Sequence, residues 1–228
     1  MKVNLKFITP LNLVVDSIRT CYSSEWKSDS KWSLIKDLKA YNSDHYELGM
    51  KDKELIQKCI ESCHESVLRH SLIHFDVSEF PRNILQQVVR HTIGIAYSVQ
   101  STRFTLKKDL KEQESFITDG VYDYVRASKF IEIVETPEIN EININTLEKV
   151  RLMVIAGNIP NDELKHALPE VYKCNFKVSF NIQSLRHFIN FRSASDAHPI
   201  IQEFARQLFN QIPLDQKFLF RDVYHLTN

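Results

Sequence analysis

The sequence predicts an α+β fold in a single domain over residues 1–228. Segments that alternate between apolar and polar residues, as half-buried strands do, are mixed with segments of helical spacing, and the mixture has no regular βαβ order. Of the 228 residues, 43% are hydrophobic, which is enough for a sizeable core. Since no repeat, low-complexity tract or clear boundary divides the chain, one domain is expected.

Strands and helices of the N-terminal half follow from the spacing of apolar residues. Strict alternation indicates a strand, helical spacing indicates a helix, and proline is tolerated in the first turn of a helix. The predicted elements are a strand at Val3–Ile8, a helix that Pro10 opens and that runs to Cys21, a polar loop over 23–50, a helix at Asp52–Val67, a strand at Ile73–Ser78, and a helix that Pro81 opens and that runs through Val89.

The same rules give the elements of the C-terminal half. Residues 107–145 are charged and carry short helical stretches around Tyr122–Ile133. The elements predicted after them are a helix at Leu147–Ala156, a short helix that Asn161 and Asp162 cap and that ends at Pro169, a strand at Phe176–Phe180, a helix that begins over Ser184–Phe191, and an amphipathic helix at Ile200–Ile212.

Charge and composition exclude several functions. Lys and Arg total 29, as do Asp and Glu, so no net charge attracts nucleic acid or a membrane surface. The apolar runs fall far short of the roughly 20 residues that a membrane-spanning helix needs. The N-terminus MKVNLKFITP has no signal-peptide cleavage site. We therefore expect a cytoplasmic enzyme or binding protein, with neither nucleic acid nor membrane as a partner.

The glycines and cysteines argue against two common kinds of site. The four glycines lie far apart, so they form no glycine-rich phosphate loop, and any phosphate must be held by side chains and helix ends. Cys59 and Cys63 lie one helical turn apart, beside His64 and before His70, which is a conceivable metal cluster. Because no paired Cys-x-x-Cys motif supports it, we interpret both cysteines as small apolar helix residues and expect no bound metal.

The stretch RHTIGIAYSVQSTRF, which begins at Arg90, is the most informative part of the chain. Arg90 and Arg103 can grip one anion by charge-assisted hydrogen bonds, and Ser101 can add a neutral contact. Gln87, Arg90 and His91 have the spacing of one helix face, and an amide beside a cation suits a uracil-like edge with a phosphate. Surface arginines on a loop and a solvated helix face are the alternative interpretations.

Two further segments concentrate hydrogen-bonding side chains. His64–His70 reads HESVLRH and precedes a predicted strand, and Asn181–Arg192 reads NIQSLRHFINFR. In the second segment, the helical spacing predicts a buried stripe of Leu185, Phe188 and Phe191. The side chains that this stripe leaves for ligand or solvent are Asn181, Gln183, His187 and Arg192.

Together these segments resemble the flavin-dependent thymidylate synthases, the ThyX family. The family signature is Arg-His-Arg, seven residues, Ser, one residue and Arg. Here, the matching residues are Arg90-His91-Thr92, then eight residues, then Ser101, Thr102 and Arg103. The family pattern His-x-(Ser/Thr)-x-x-Glu-His resembles His64–His70, and Asn-Ala-Arg-Ser-Leu-x-Asn-Phe-Leu-x-Leu-Arg resembles Asn181–Arg192. A basic residue before Leu-Pro is matched by Lys165, and the resemblance covers residues 1–22 and 51–212.

The resemblance implies a fold, an assembly and a reaction. The fold is a central, mostly antiparallel sheet flanked by helices, and the assembly is a homotetramer with shared active sites. The reaction is the reductive methylation of dUMP to dTMP, with methylenetetrahydrofolate as the carbon source. FAD carries the hydride, and NADPH reduces it.

The resemblance also implies which residues form the site. Ser101 and Arg192 are expected to be catalytic. The residues expected to bind dUMP are Gln87, Arg90, Ser101, Arg103, Lys165 and Arg192. The residues expected to bind FAD are His64, Ser66, Arg90, His91, Thr92, Asn181, Gln183 and His187. We expect Arg90, Arg103 and Arg192 to hold one phosphate group, with contributions from more than one subunit.

The departures from the family fall mainly where it contacts flavin. Arg69 replaces a glutamate, Thr92 and Gln183 replace arginines, and His187 replaces an asparagine. We therefore expect weaker FAD binding than in relatives with the full motif, and tighter binding after Thr92→Arg with Gln183→Arg. Arg69 and Arg186 are both candidates to replace the missing charge. A diverged member that binds a pyrimidine nucleotide but has altered or lost flavin chemistry, and a non-enzymatic Cys/His metal or nucleic-acid module, are the alternatives.

Overall fold

The computed structural model describes residues 1–32 and 46–223, and its largest sheet has four strands. The strands in chain order are β1 (Lys2–Ile8), β2 (Lys31–Trp32), β3 (Tyr46–Glu47), β4 (Leu72–Pro81), β5 (Ile95–Val99), β6 (Ile117–Thr118), β7 (Val121–Tyr122) and β8 (Lys173–Asn181). The large sheet has the order β1-β4-β8-β5, and the pairs β2–β3 and β6–β7 form two-stranded antiparallel sheets.

Neighbouring strands of the large sheet run antiparallel. Lys2 Nζ donates to Glu79 Oε1 at 2.7 Å, and Thr9 N donates to Leu72 O at 2.9 Å, so the start of β1 faces the end of β4. The contacts between β4 and β8, and between β8 and β5, follow the same reversed order. The antiparallel sheet that the resemblance implies is thus confirmed.

Helices account for most of the remaining described chain. The α-helices are α1 (Asn12–Cys21), α2 (Met50–Glu61), α3 (Arg82–Val88), α4 (Thr102–Leu110), α5 (Tyr124–Ala127), α6 (Pro137–Ala156), α7 (Asn161–Leu164), α8 (Ile182–Arg192) and α9 (Pro199–Asn210). Short 3-10 helices lie at Glu25–Lys27, Glu65–His70, Lys165–Ala167 and Leu214–Phe220. Strands and helices in this irregular order confirm the predicted α+β class.

The chain divides into two units, and the division falls within the strands of the large sheet. The first unit comprises Met1–Lys2, Val77–Arg90 and Tyr97–Lys177. The second unit comprises Val3–Asp76, His91–Ala96 and Val178–Asn228. The single domain over residues 1–228 stays a prediction.

In the first unit, α6 is the central helix of an apolar core. Ile144, Leu147 and Val150 on α6 are fully buried against residues of α4 and of the segment that follows it. Glu148, on the same helix, is buried and accepts hydrogen bonds from Phe116 N at 2.9 Å and from Arg151 Nη2 at 2.6 Å. Helix α6 therefore holds the segment before β6 by both apolar and charged contacts.

In the second unit, aromatic side chains join the sheet to helix α8. Phe75 of β4 meets Phe180 of β8 edge to face, with ring centroids 6.3 Å apart. Phe188 of α8 lies 5.5 Å from the Phe180 ring and 5.7 Å from the Phe204 ring of α9. Since all four rings are buried, α8 is fixed on the sheet by its apolar face, and its other face is left for polar contacts.

Two predicted helices have wrong boundaries. The helix predicted at Asp52–Val67 ends at Glu61, because Cys63 takes a left-handed φ of 58° that stops an α-helix, and a 3-10 helix follows. The helix predicted at Leu147–Ala156 begins ten residues earlier, at Pro137, which occupies the first helical turn. Polar asparagines hid this earlier part of α6 from the apolar pattern; Asn140, for example, is buried and bonds to the backbone of Val134.

Several elements were missed or differ in detail. Strand β5 and helix α4 were not predicted, although Ile95, Tyr97 and Val99 alternate as strand residues do. The predicted cap by Asn161 and Asp162 is wrong, because Pro160 precedes α7 and the Asn161 side chain donates to Arg103 O instead. Of the loop predicted over 23–50, residues 33–45 lie outside the described residues. Within the described part of the chain, no helix is long and apolar enough to cross a membrane.

Candidate functional site

Three of the residues expected to bind dUMP line one cavity in the first unit. Ser101, Arg103 and Lys165 border a space of about 470 Å³ between the start of α4 and the 3-10 helix at Lys165–Ala167. The other lining residues come from α3 and from the segment before β8; they are Arg82, Asn83, Gln86, Thr102, His166, Leu168, Pro169 and Glu170. A cavity with three cationic side chains suits an anionic ligand.

Asp162 forms ion pairs with two of these cations. Its Oδ1 lies 3.1 Å from Arg103 Nε and 3.7 Å from Lys165 Nζ. All three side chains are substantially exposed, so the ion pairs are weak and salt-dependent. A phosphate can therefore compete for Arg103 and Lys165 at small cost.

Arg82 is a lining residue that the sequence analysis did not single out. It is the first residue of α3, and its Nη1 is buried without a hydrogen-bond partner among the described residues. A buried N–H group without a partner is costly, and an anion in the cavity can satisfy it. An arginine directly after Pro81, at the start of a helix, was the available sequence signal.

Gln87 and Arg90 do not share a helix face with His91, contrary to the prediction. Helix α3 ends at Val88, whose carbonyl accepts a hydrogen bond from Tyr97 Oη at 2.9 Å, so the chain leaves the helix before Arg90. Gln87 is half-buried and Arg90 is exposed, and both lie outside the residues that line the cavity. Their expected dUMP contacts stay predictions.

In the second unit, the turn after His91 packs on the start of α8. Ser184 Oγ donates to Ile93 O at 2.7 Å, and Asn181 N donates to Gly94 O at 2.9 Å. Asn181 is buried and its side chain caps α8 by accepting from Ser184 N at 2.8 Å. The Asn181 side chain therefore stabilises the first turn of α8.

His91 and Arg192 form the centre of a polar and aromatic cluster in this unit. Arg192 Nε donates to His91 Nε2 at 2.8 Å. The pKa of the imidazole is lowered to about 4 by the partial burial of His91 and then by the charges of Arg192 and His187. At neutral pH His91 is therefore uncharged, as an acceptor for an arginine N–H must be.

Phe191 belongs to this cluster and not to the buried stripe predicted for α8. Leu185 and Phe188 are buried as predicted, but Phe191 is 55% exposed. Its ring stacks on the His187 ring at 9° between planes, and the Arg192 guanidinium lies 4.9 Å from its centroid. The exposed ring of Phe191 is therefore a flat aromatic surface beside His187 and Arg192.

Arg69 and Gln183, two of the departures from the family motifs, contact each other. Arg69 Nε donates to Gln183 Oε1 at 2.5 Å. Arg69, His64 and Ser66 are exposed in one short segment, and Gln183 is half-buried in the first turn of α8. Exposed imidazole, hydroxyl and guanidinium groups can donate hydrogen bonds to phosphate and carbonyl oxygens.

Arg186, the other candidate to replace the missing charge, is committed to the interior. It is 4% exposed and donates to Leu219 O, to Glu65 Oε1 at 3.0 Å and to Asp222 Oδ2 at 2.6 Å. Burial opposes its charge, but these two carboxylates outweigh burial and raise its pKa. Its role is therefore structural.

The cysteines form no metal centre with their neighbours in the described part of the chain. Cys63 and His64 are exposed, Cys59 is half-buried, and no group of three or more His, Cys, Asp or Glu side chains there is arranged to hold a metal ion.

Comparison with known proteins decides the family. The family model described as thymidylate synthase complementing protein matches residues 5–213. A flavin-dependent thymidylate synthase of Helicobacter pylori (strain ATCC 700392 / 26695) is 34% identical over 223 residues, which are 97% of this chain and 98% of the relative. The chain belongs to the flavin-dependent thymidylate synthase family.

Other relatives and a solved structure agree with this assignment. A family member from Campylobacter jejuni (strain RM1221) is 32% identical over 226 residues, covering 99% of this chain and 98% of its own length. A crystal structure of flavin-dependent thymidylate synthase ThyX from Helicobacter pylori, complexed with FAD and dUMP, superposes with a TM-score of 0.81 at 34% identity. It covers 98% of this chain and 99% of its own, so the family fold extends over the whole described chain.

The expected site residues thus fall into two groups. Ser101, Arg103 and Lys165 meet in the first unit, while His91, His187 and Arg192 meet in the second. Because Arg103 and Arg192 belong to different units, a shared phosphate for the three arginines stays a prediction.

Proposed function

We propose that this chain is a flavin-dependent thymidylate synthase that methylates dUMP to dTMP. The observation that carries the proposal is the cavity of the first unit, in which Ser101, Arg103 and Lys165 meet in a chain of this family. Two motifs that lie about 60 residues apart in sequence thus supply a hydroxyl group and two cations to one cavity, which is the set of groups that binds a phosphate. Methylenetetrahydrofolate and NADPH are the proposed co-substrates.

The nucleotide phosphate is proposed to bind the cations of the cavity. Arg103 and Lys165 would exchange Asp162 for phosphate oxygens, and Ser101 would donate its hydroxyl to the nucleotide. Gln87, Arg90 and Arg192 complete the proposed dUMP set. Ser101 and Arg192 are the proposed catalytic residues, as the resemblance implies.

The second unit has a donor set that fits FAD. His64, Ser66, Thr92 and His187 are exposed, and Arg69 adds a cation beside them in sequence. With Arg90, His91, Asn181 and Gln183, these residues make up the proposed FAD set. When bound, reduced FAD supplies the hydride of the reaction. The protein residues bind and orient it by donating hydrogen bonds to its oxygen atoms.

A diverged role is the second candidate function. Thr92, Gln183 and His187 lack groups that the family presents to flavin, while the dUMP cations Arg103 and Lys165 are kept. In this second function, the chain binds a pyrimidine nucleotide such as dUMP but has altered or lost flavin chemistry. Homotetrameric assembly, a cytoplasmic location and the absence of nucleic-acid and membrane partners are part of the proposal and rest on the sequence and the resemblance.

An activity assay with two binding measurements separates the candidates. The full chain is incubated with dUMP, methylenetetrahydrofolate, NADPH and FAD, and dTMP is measured by chromatography. We expect dTMP to form, and we expect Arg103→Gln to weaken dUMP binding at least about tenfold. The matched control is Lys108→Gln, an exposed cation of the same helix α4. Binding of dUMP without dTMP or FAD binding supports the diverged role, and binding of neither ligand contradicts both.

A further inference from the structure

The two departures at positions 69 and 183 lie on the two sides of a single contact. The resemblance to the family motifs implies a glutamate at position 69 and an arginine at position 183, where this chain has Arg69 and Gln183. In this chain Arg69 Nε donates to Gln183 Oε1 at 2.5 Å, although the two residues are 114 positions apart. This contact thus has one arginine, and that arginine lies at position 69 and not at position 183.

The exchange also changes the charge at this place. A glutamate and an arginine together are neutral, whereas an arginine and a glutamine carry one positive charge. No carboxylate is paired with Arg69 among residues 1–32 and 46–223, and the side chain is exposed. Since a guanidinium has five N–H groups and Gln183 uses the one at Nε, the Nη1 and Nη2 groups are available to an acceptor.

The alternative source of a cation is excluded by its contacts. Arg186 is buried and donates to two carboxylates and a carbonyl, so it has no group to offer at the surface. Arg69 lies in the same 3-10 helix as Ser66, in the segment His64–His70 that the resemblance assigns to FAD binding.

We propose that Arg69 is the cation that binds FAD on this face and takes the place of the family arginine at position 183. Gln183 is a positioning residue, because its carbonyl oxygen fixes Nε and aims the Nη groups outward. The acceptor is an oxygen of the FAD diphosphate or of the flavin ring. This inference rests on the proposed function, since it presupposes that the chain binds FAD.

The test measures the FAD dissociation constant of the full chain by flavin fluorescence, at two salt concentrations. We expect Arg69→Gln to weaken FAD binding about tenfold to a hundredfold, because a hydrogen bond to a charged group is lost. FAD binding by the Arg69→Gln variant should also depend less on salt than FAD binding by the unaltered chain. Arg206→Gln, an exposed arginine of helix α9 in the same unit, is the matched control and should leave the constant unchanged.

A charge-exchange variant tests the pairing itself. Arg69→Glu alone should weaken FAD binding more than Arg69→Gln, because it places an anion at the site. Arg69→Glu combined with Gln183→Arg recreates the family arrangement and should restore binding to within about threefold of the unaltered chain. Gln183→Arg alone puts two guanidinium groups in contact, so it should not tighten binding. A tightening by that single substitution would overturn the inference.

Parallel titrations with riboflavin tell the two acceptors apart. Riboflavin has the flavin ring but no diphosphate. If Arg69→Gln weakens the binding of FAD and not that of riboflavin, Arg69 binds the diphosphate. If it weakens the binding of both equally, Arg69 binds the flavin ring. An unchanged FAD constant for Arg69→Gln overturns the inference and leaves the proposed function intact. Failure of the unaltered chain to bind FAD, with dUMP still bound, overturns the inference together with the flavin-dependent reaction.

Discussion

At the scale of single residues, His91 links stability to pH. Its pKa is about 4 in the folded chain, below its ordinary value of 6.5, chiefly because burial and then Arg192 disfavour the charged imidazole. As pH falls below 6.5, the unfolded chain takes up a proton that the folded chain does not. Stability is therefore fully present above the unfolded pKa and is lost as pH falls toward 4.

This linkage predicts a measurable difference between two proteins. Between pH 7 and pH 4, His91 should contribute a loss of about 1–3 kcal/mol in the free energy of unfolding. His91→Gln keeps an acceptor for Arg192 and does not titrate, so its stability should fall less over the same range. Urea unfolding at a series of pH values measures the free energy of unfolding of the unaltered chain and of the His91→Gln variant. Parallel curves would contradict the assigned pKa.

Gly94 is the second residue for which the structure makes a sharp prediction. Its φ is +69°, and an added Cβ would overlap Asn181 Nδ2 and lie 2.5 Å from Ser184 Oγ. Gly120 has a φ of +78° but nothing within 4 Å of such a Cβ, so it is a matched control for backbone strain alone. Gly120→Ala should cost about 1 kcal/mol, and Gly94→Ala at least about 1 kcal/mol more.

Denaturant unfolding of the two alanine variants measures this difference. Equal losses of unfolding free energy would show that the turn after His91 is not packed on the start of α8 as described. FAD titration of Gly94→Ala is a useful second readout, because Asn181 and Thr92 belong to the proposed FAD set and flank this turn.

At the scale of elements, helix α6 is held to the segment before β6 by one buried carboxylate. Glu148 accepts from Phe116 N, Ser115 Oγ and Arg151. Glu148→Ala leaves the buried Arg151 and a backbone N–H without this partner, so we expect a loss of about 3–5 kcal/mol in unfolding free energy. Lys149→Ala, at the exposed neighbouring position, should change it by less than about 0.5 kcal/mol.

Thermal and denaturant unfolding of both variants check this prediction. A Glu148→Ala protein as stable as the Lys149→Ala protein would mean that the carboxylate and Arg151 are solvated in solution. The N-terminal part of α6 was also the largest element that the sequence pattern failed to reveal. Asn140 in this part is buried and bonds to the backbone of Val134, and such a contact leaves no trace in apolar spacing.

The sequence predicts motifs better than it predicts the contacts between them. The strands at Val3–Ile8 and Ile73–Ser78, the antiparallel sheet and the family were all predicted correctly. The contact of Arg69 with Gln183 was not, since each residue alone looked like a lost motif position. The exposure of Phe191 was missed for a related reason, because helical spacing gives a face of the helix but does not show which residues of that face another element covers.

At the scale of the whole molecule, three large apolar side chains next to expected site residues are exposed to solvent. Ile93 is 83% exposed beside Thr92, Phe104 is 76% exposed beside Arg103, and Phe191 is exposed beside Arg192. Large exposed apolar side chains next to expected ligand-binding residues are typical of surfaces that are covered in an assembly. They support the proposed homotetramer, in which site residues of more than one subunit combine.

The assembly predicts a particle of four chains. Light scattering at micromolar concentration should give four times the 26.8 kDa mass of the chain. Phe104→Asp should lower this mass and weaken dUMP binding together, because a charge at a subunit contact beside Arg103 affects both. Val125→Asp is the matched control, since Val125 is 78% exposed in the same unit but lies in none of the site motifs. A 26.8 kDa particle that still binds dUMP would contradict the shared site, because one chain would then suffice for binding.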